Sequence, residues 1–451
     1  MSHKSRPTST GRYSSSVASI SDFPDFVWSI GEEGSDPIVM RQGERLRQDQ
    51  FAQSGHDQHM EDDLAAIAGL GVDIVRYGTP WRLAEPRPGV YDWSRWDRAF
   101  SACDDAGLEP IVEFLHFGLP DHYSGFIESD WVDGFVSYVA AFLERYDSPK
   151  WFTPINEPGI TARLSARYGI WNDMVASAEG HAQALANVVQ ANLEAVDLIR
   201  NDRNGLWIGS EGFDIPVAVT DTPDAAAEVA RERALGWLVW DLHFGVDPGV
   251  AGYFDMVDAS QLDRIRSLAA SDGLVAGLDI YPISVNAIGG VRPDWSTEEL
   301  IHLAEEEIAR WHDRYDQPFW IAETSNLTLP IDQQIPWLEA FTSALGRLRS
   351  NGRPARGLCW YSRGDQFDWQ TALIEPSGAV TEVGLFDTER NARPVAARFQ
   401  KLASGPPDML SPEKWLAAPE DASTNCRVAV TRCHWQEMAR CLPPGGAHFQ
   451  E

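Results

Sequence analysis

Basic residues are scarce in this chain, and it has no long apolar run. Of its 451 residues, 37 are Lys or Arg and 67 are Asp or Glu, which gives a formal net charge of −30 at pH 7. A surface of that sign repels nucleic acid and anionic lipid, so neither is expected as a partner, whereas a neutral small molecule is unaffected. No stretch reaches the roughly 18 apolar residues that a membrane helix needs. We therefore expect a soluble protein.

Cysteine is also rare, with five residues. Cys103 and Cys359 lie far apart in predicted helix and strand, and the other three follow one another near the C-terminus at spacings of seven and eight residues (Cys426, Cys433 and Cys441). Those spacings fit no compact zinc site, and no disulfide framework is implied. We expect no metal, no cofactor and a reducing, cytoplasmic location.

The first 22 residues are rich in Ser and lack the apolar core of a secretory signal. We interpret residues 1–22 as a disordered tail. Residues 405–451 lack periodicity and are interpreted as a second, irregular tail. The sequence leaves the oligomeric state open, and a homo-oligomer is possible.

Between these tails, strand-like and helix-like segments alternate eight times. The predicted strands are apolar runs at residues 25–31, 73–78, 109–116, 151–157, 205–212, 274–281, 318–324 and 356–362. Predicted helices lie between them, including 131–146, 177–201, 223–240, 260–271, 297–314, 334–351 and 391–403. Strands that are apolar throughout are typical of parallel sheets covered on both faces. The pattern predicts an α/β fold, a single (β/α)8 TIM barrel over residues 23–404. A doubly wound open sheet is the alternative, but no Gly-rich phosphate loop follows an early strand.

Polar side chains follow most of the predicted strands, where TIM barrels build their active sites. The candidates are Arg76, His116, Asn156, Glu157, Tyr281, Glu323, Trp360, Asp368 and Trp369. Glu157 and Glu323 follow the fourth and seventh strands and should face each other across the barrel mouth. Glycoside hydrolysis needs such a pair: one acid protonates the leaving oxygen and one carboxylate attacks the sugar or activates water.

Several motifs strengthen that interpretation through a resemblance. "TPINEP" resembles the T-x-N-E-P acid/base motif of glycoside hydrolase family 1, the β-glucosidase family, and "WIAETSN" is similar to that family's I-T-E-N-G nucleophile strand. "EFLHFGLPDHY", "GLDIYP" and "CWYSRGDQFDWQTAL" resemble its third, sixth and eighth strands. The resemblance extends over residues 23–403.

The resemblance implies a role for each candidate. Glu157 would be the general acid/base and Glu323 the nucleophile, which Arg76 and Tyr281 would orient. Asn156 would bond the sugar's 2-hydroxyl, and the remaining substrate-binding candidates are His116 by hydrogen bond, Trp360 by stacking, and Asp368 with Trp369 from the eighth loop.

The chain also departs from the family pattern. "SIGEEGSDP" offers Glu32 and Glu33 where the family has a Gln that grips the sugar, and Asp368 replaces a Glu in the eighth loop. Other interpretations of these residues remain open. Glu157, Glu323 and Arg76 could form structural ion pairs, His116 could be a core residue and Tyr281 could serve packing. Asp365 and Asp368 could be loop-solvated charges or a cap. The leading functional hypothesis is a retaining β-glycosidase acting on a small glycoside or oligosaccharide. A transglycosidase on the same barrel and a non-catalytic carbohydrate-binding protein are the alternatives.

Overall fold

Eight parallel strands form a closed barrel in the computed structural model, which describes residues 20–269 and 273–405. The strands follow one another around the barrel in chain order, and the last pairs with the first. They are β1 Val27–Glu32, β2 Ile74–Gly78, β3 Glu109–Leu115, β4 Trp151–Ile155, β5 Leu206–Ile208, β6 Leu274–Asp279, β7 Phe319–Thr324 and β8 Ala355–Trp360. The predicted fold class and all eight strands are confirmed.

Helices surround the barrel and cover the outer face of each strand. They are α1 Gln50–Ser54, α2 His56–Ala68, α3 Trp81–Ala84, α4 Ser94–Ala106, α5 Asp130–Arg145, α6 Pro158–Ala162, α7 Ala178–Arg203, α8 Pro223–Gly236, α9 Leu238–Phe244, α10 Ala259–Leu268, α11 Thr297–Tyr315, α12 Gln334–Ser350 and α13 Pro394–Ala403. The helix predicted at 223–240 is two helices, because the chain turns at Trp237. In the described part of the chain, no helix combines the length and apolar character needed to cross a bilayer.

Side chains fill the barrel at the amino ends of its strands. Phe23 enters this interior from the N-terminal side and packs edge-on against Trp151 and Trp320, with ring centroids 5.3 and 6.4 Å apart. Ile111 and Cys359 belong to the same buried cluster. This apolar plug closes one end of the barrel, so a polar cavity can form only at the carboxyl ends.

Three small sheets lie outside the barrel. Two are antiparallel pairs, Ile38–Arg41 with Glu44–Arg47 and Gln366–Phe367 with Val380–Thr381, and the third is a parallel pair, Ile215–Ala218 with Val285–Ile288. They shape the loops around the barrel mouth. The predicted tails lie outside the described residues except for 20–22 and 405, and the three C-terminal cysteines lie outside them as well.

Candidate active site

A buried guanidinium joins the carboxyl ends of several barrel strands. Arg76 is fully buried; its Nη1 donates to Glu323 Oε1 at 2.5 Å and lies 3.2 Å from Glu33 Oε1. Its Nη2 donates to Glu113 and to Asn156 Oδ1. Burial alone would lower the pKa of Arg76, but the surrounding carboxylates outweigh burial and raise it. Arg76 is therefore a permanent cation that fixes polar groups after strands β1, β3, β4 and β7.

Glu323 is held by donors on both of its oxygens. Tyr281 Oη donates to Glu323 Oε2 at 2.6 Å, while Arg76 occupies Oε1. Burial and the neighbouring Glu323 charge raise the pKa of Tyr281, so its phenol keeps the proton that it donates. A carboxylate fixed by a cation and a phenol has its charge stabilised and its orientation set.

Glu157 occupies a strained backbone position at the end of β4. Its φ is 39° and its ψ is 63°, in the left-handed region that residues with a side chain seldom adopt. Its backbone N–H donates to Ser210 O at 3.1 Å, and Pro158 begins helix α6 directly afterwards. A Cβ on Gly212 would lie 2.9 Å from Glu157 Oε1, so glycine makes room for this carboxyl. The chain thus turns sharply to direct Glu157 into the barrel mouth.

The Glu157 carboxyl has an environment opposite to that of Glu323. Among the described residues, no salt bridge joins it to a cation. Burial raises its pKa well above the ordinary value, and the charges of Asp279, Glu323 and Glu211 raise it further. A carboxyl with a raised pKa keeps its proton closer to neutral pH and can donate it.

Asn156 and His116 form a hydrogen-bonded chain beside this pair. Asn156 Oδ1 accepts from Arg76 and lies 2.8 Å from Ser210 Oγ, and its Nδ2 lies 3.1 Å from His116 Nε2. His116 Nδ1 lies 2.7 Å from Glu113 Oε1. Because Asn156 Nδ2 can only donate, His116 Nε2 accepts and Nδ1 carries the proton. Both ring nitrogens of His116 already have protein partners, so His116 can contact a ligand in the cavity only through the face or the carbon edge of its ring.

The end of strand β8 presents Tyr361, rather than Trp360, to the cavity. Trp360 is fully buried and its Nε1 donates to Val383 O at 2.9 Å. Tyr361 is the next residue and lines the cavity. The structure therefore does not bring Trp360 to the position of the predicted stacking platform; Tyr361 occupies it.

Asp368 is buried inside the eighth loop. Its carboxylate accepts backbone N–H bonds from Ser377, Gly378 and Ala379 at 3.2, 3.0 and 2.9 Å, and the Ser377 hydroxyl at 2.8 Å. Asp368 therefore orders the loop rather than facing the cavity, which agrees with its interpretation as a loop cap. The adjacent Trp369 does line the cavity.

An open cavity lies at the barrel mouth, with about 680 Å³ of unfilled space that includes open solvent. Its polar part contains Glu157, Glu323, Asp279, His116 and Tyr281. Its outer wall is mostly apolar and includes Phe117, Ile160, Leu164, Phe213, Ile283 and Leu327. The arrangement suits a ligand with a hydroxyl-rich end inside and a less polar end outside.

Comparison with known proteins agrees with this geometry. The sequence model of glycosyl hydrolase family 1 matches residues 37–272, just over half of the chain. The chain belongs to glycosyl hydrolase family 1. It is 26% identical over 222 residues to "Beta-glucosidase 25" of Oryza sativa subsp. japonica, and 26% identical over 198 residues to a 6-phospho-beta-glucosidase of Clostridium longisporum. These matches cover 43% and 41% of this chain and less than half of each relative, 44% and 41%.

Solved structures of family 1 share the fold at low sequence identity. A β-glucosidase from Exiguobacterium marinum superposes with a TM-score of 0.71 at 18% identity, covering 84% of this chain and 97% of that one. A family 1 β-glucosidase from Thermotoga maritima also gives 0.71, at 15% identity and with 86% and 98% coverage. At such identities the likeness establishes the barrel, and the chemistry must be argued from this chain's own residues.

Sequence reasoning missed several residues of this family 1 site. The sequence does not distinguish Glu32 from Glu33, but only Glu33 reaches Arg76, whereas Glu32 pairs with Arg363 and lies 3.3 Å from His56. Glu113 is the first residue of the motif "EFLHFGLPDHY", three residues before His116, and this spacing could have indicated that the two side chains meet. Asp279, the last residue of β6, and Tyr361 gave no separate signal.

Two groups of side chains could in principle hold a cation. Glu33, His116 and Glu323 each bring one ligand atom within 4.8 Å of the others, and so do Glu32, His56 and Asp63. The second group is already paired with Arg363 and Arg390. In the first group, Glu33 and Glu323 already pair with Arg76.

We expect Asp368→Ala to loosen the eighth loop of this family 1 protein. Three backbone N–H groups and a hydroxyl would lose their acceptor, which should cost about 1–3 kcal/mol of stability. Thermal unfolding checks this, with Glu375→Ala, at an exposed position of the same loop, as the control. Unchanged stability would contradict the capping role of Asp368.

Proposed function

We propose that this family 1 protein is a retaining β-glycosidase that removes a terminal β-linked sugar from a small glycoside. The observation that carries the proposal is the unequal treatment of two carboxylates in one cavity. Arg76 and Tyr281 donate to both oxygens of Glu323, whereas burial and nearby negative charge raise the pKa of Glu157. One group is prepared to attack and the other to donate a proton.

In the first step, Glu323 acts as the nucleophile. One of its oxygens bonds to the anomeric carbon while the bond from that carbon to the leaving oxygen breaks. Glu157 transfers its proton to that oxygen, so the aglycone departs as a neutral alcohol. The product is a glycosyl ester on Glu323, and Glu157 is left ionised.

In the second step, water replaces the aglycone. Glu157 accepts a proton from water while the water oxygen bonds to the anomeric carbon, and the ester bond to Glu323 breaks. Both carboxylates return to their starting states, and the sugar leaves with its original anomeric configuration. Two inversions at one carbon account for the retention.

The remaining side chains are proposed to hold the sugar. Asn156, fully buried beside the nucleophile, would bond a hydroxyl next to the anomeric carbon. Trp369 Nε1 is buried and has no hydrogen-bond partner among the described residues, so it can donate to a hydroxyl. Tyr361 would pack against the ring in place of Trp360, and His116 would contact it with its ring edge or face.

The stereochemistry of the product tests the proposal. Early in hydrolysis of a 4-nitrophenyl β-glycoside, proton NMR should show the β-anomer of the free sugar before mutarotation forms the α-anomer. The panel should cover the glucoside, galactoside, fucoside, mannoside, xyloside and glucuronide. An α-anomer formed first would mean inversion and would contradict a nucleophilic Glu323.

A further inference from the structure

The surroundings of the two proposed catalytic acids contain more buried acids than the proposed reaction uses. The reaction needs Glu157 and Glu323. Asp279 also lines the cavity, and Glu33 and Glu113 lie against Arg76; 1, 2 and 1% of their surface is exposed. Buried carboxylates are costly unless a cation or hydrogen bonds compensate them. Their presence therefore needs an explanation.

Arg76 supplies the only guanidinium among the described residues that contacts this group, and it is shared. It contacts Glu33, Glu113 and Glu323, three carboxylates around one cation. Asp279 is near enough for the charge of Glu323 to raise its pKa, after burial, which is the larger cause. Burial likewise raises the pKa of Glu33, although Arg76 opposes the rise. The site thus has more carboxyl groups than cations, and burial favours the neutral form of Glu33 and Asp279 unless a further cation binds.

Oxygen atoms of two of these acids lack partners. Both carboxylate oxygens of Glu33 are buried and make no hydrogen bond to the described residues, although one lies at ion-pair distance from Arg76. Asp279 Oδ2 accepts from Ser210 Oγ at 2.6 Å, but Oδ1 has no hydrogen bond within the same part of the chain. Asp279 lines the cavity, and a Glu33 oxygen lies within 4.8 Å of polar atoms of His116 and Glu323. Asp279 thus lies at the cavity wall, and a Glu33 oxygen lies close to the proposed nucleophile.

We propose that the natural sugar is an amino sugar, whose protonated amine is bound by Glu33 and Asp279. An ammonium group brings the missing positive charge and up to three N–H donors to oxygens that lack them. A neutral sugar hydroxyl could supply one donor but no charge. The inference rests on the proposed glycosidase function, which it deepens by naming the class of substrate.

The test compares matched glycosides with the whole protein. The 4-nitrophenyl β-glycosides of glucose and galactose are assayed beside analogues that carry an amine in place of the hydroxyl at C2, C3 or C6. The assay is run at about pH 6, below the pKa of an aliphatic amine. At least one amine should exceed its parent hydroxyl glycoside by about 10-fold or more in kcat/KM.

Two charge-removing variants locate the effect. Glu33→Gln and Asp279→Asn should each reduce the preference for the amine, measured as the ratio of kcat/KM for the amine to kcat/KM for its hydroxyl parent in the same variant, by about 10-fold. Glu375→Gln, an exposed acid of the eighth loop, is the matched control and should leave the preference unchanged. Folding should also tolerate both amides. Burial raises the pKa of Glu33 and of Asp279, so ionising either acid at higher pH lowers the free energy of unfolding. A neutral amide at that position does not carry this cost.

The outcomes separate the two proposals. Hydrolysis of neutral glycosides without preference for any amine would overturn the amino-sugar inference and leave the glycosidase intact. Hydrolysis of no glycoside at all would count against the proposed function, and binding would then decide the inference. In that case, tryptophan fluorescence should report tighter binding of glucosamine or galactosamine than of glucose or galactose, and equal binding would overturn the inference.

Discussion

Replacing Glu323 by Gln should lower kcat for a 4-nitrophenyl β-glycoside by about 10⁴-fold. The amide keeps the size of the side chain but cannot form the glycosyl ester, so the first step loses its nucleophile. Steady-state release of 4-nitrophenol measures the effect. Glu375→Gln, the same exchange at an exposed position of the eighth loop, should retain the activity of the wild type.

The structure also predicts that this variant folds. Arg76 still contacts Glu33 and Glu113 after Glu323 becomes neutral, so its buried charge stays compensated. The amide oxygen can accept from Arg76 or from Tyr281, and the amide NH2 then faces the other donor, which should cost about 1–3 kcal/mol of stability. Far-ultraviolet circular dichroism should therefore stay close to that of the wild type, while the melting temperature falls by a few degrees. A folded variant with kcat within about 10-fold of the wild type would exclude Glu323 as the nucleophile.

The barrel and its paired acids could be predicted because they depend on patterns along the chain. Apolar strands that recur with helices between them allow few arrangements, and the carboxyl ends of parallel strands meet at one face. Glu157 and Glu323 each lie at such an end, so their approach follows from the topology alone. Asn156, Arg76 and Tyr281 follow by the same reasoning.

The eighth strand shows where that reasoning fails. Trp360 and Tyr361 are adjacent aromatic residues in an apolar run, and neighbouring side chains of a strand point to opposite faces. A shift of one residue therefore exchanges the side chain that faces the cavity for the one that is packed away. No pattern in "CWYS" distinguishes the two, and the contact of Trp360 Nε1 with Val383 O is what settles it.

The buried acids were difficult to predict for another reason. Glu32 and Glu33 are identical side chains one residue apart, yet Glu32 lies against Arg363 and Glu33 against Arg76. Partners so distant in sequence come together only through the closed barrel. Asp368 shows the same limit, since its backbone donors depend on the path of a loop that has no periodicity.

Replacing Glu157 by Gln should have an effect that depends on the leaving group. The aglycone of an alkyl β-glycoside would leave as a basic alkoxide unless Glu157 protonates it. Hydrolysis of such a glycoside should therefore slow by about 10²–10⁴-fold in the variant. The weakly basic 4-nitrophenolate leaves without being protonated, so the first step with a 4-nitrophenyl glycoside should change little. The second step still lacks its base, so the variant should release a rapid burst of 4-nitrophenol, close to one equivalent of enzyme, and then turn over slowly.

The pH dependence provides the matching test of Glu157. The proposed mechanism needs Glu157 protonated in the first step, so the rate should fall as the pH rises through the pKa of that carboxyl. Burial and the charges of Asp279 and Glu323 raise this pKa, which places the fall at higher pH than for an ordinary glutamate. In the Gln variant, the rate of the first step with a 4-nitrophenyl glycoside, measured from the burst, should not fall as the pH rises. Equal losses with both kinds of leaving group, or a fall that persists in the variant, would assign the proton donor to another residue, and Asp279 and Glu211 are the nearest buried acids to examine.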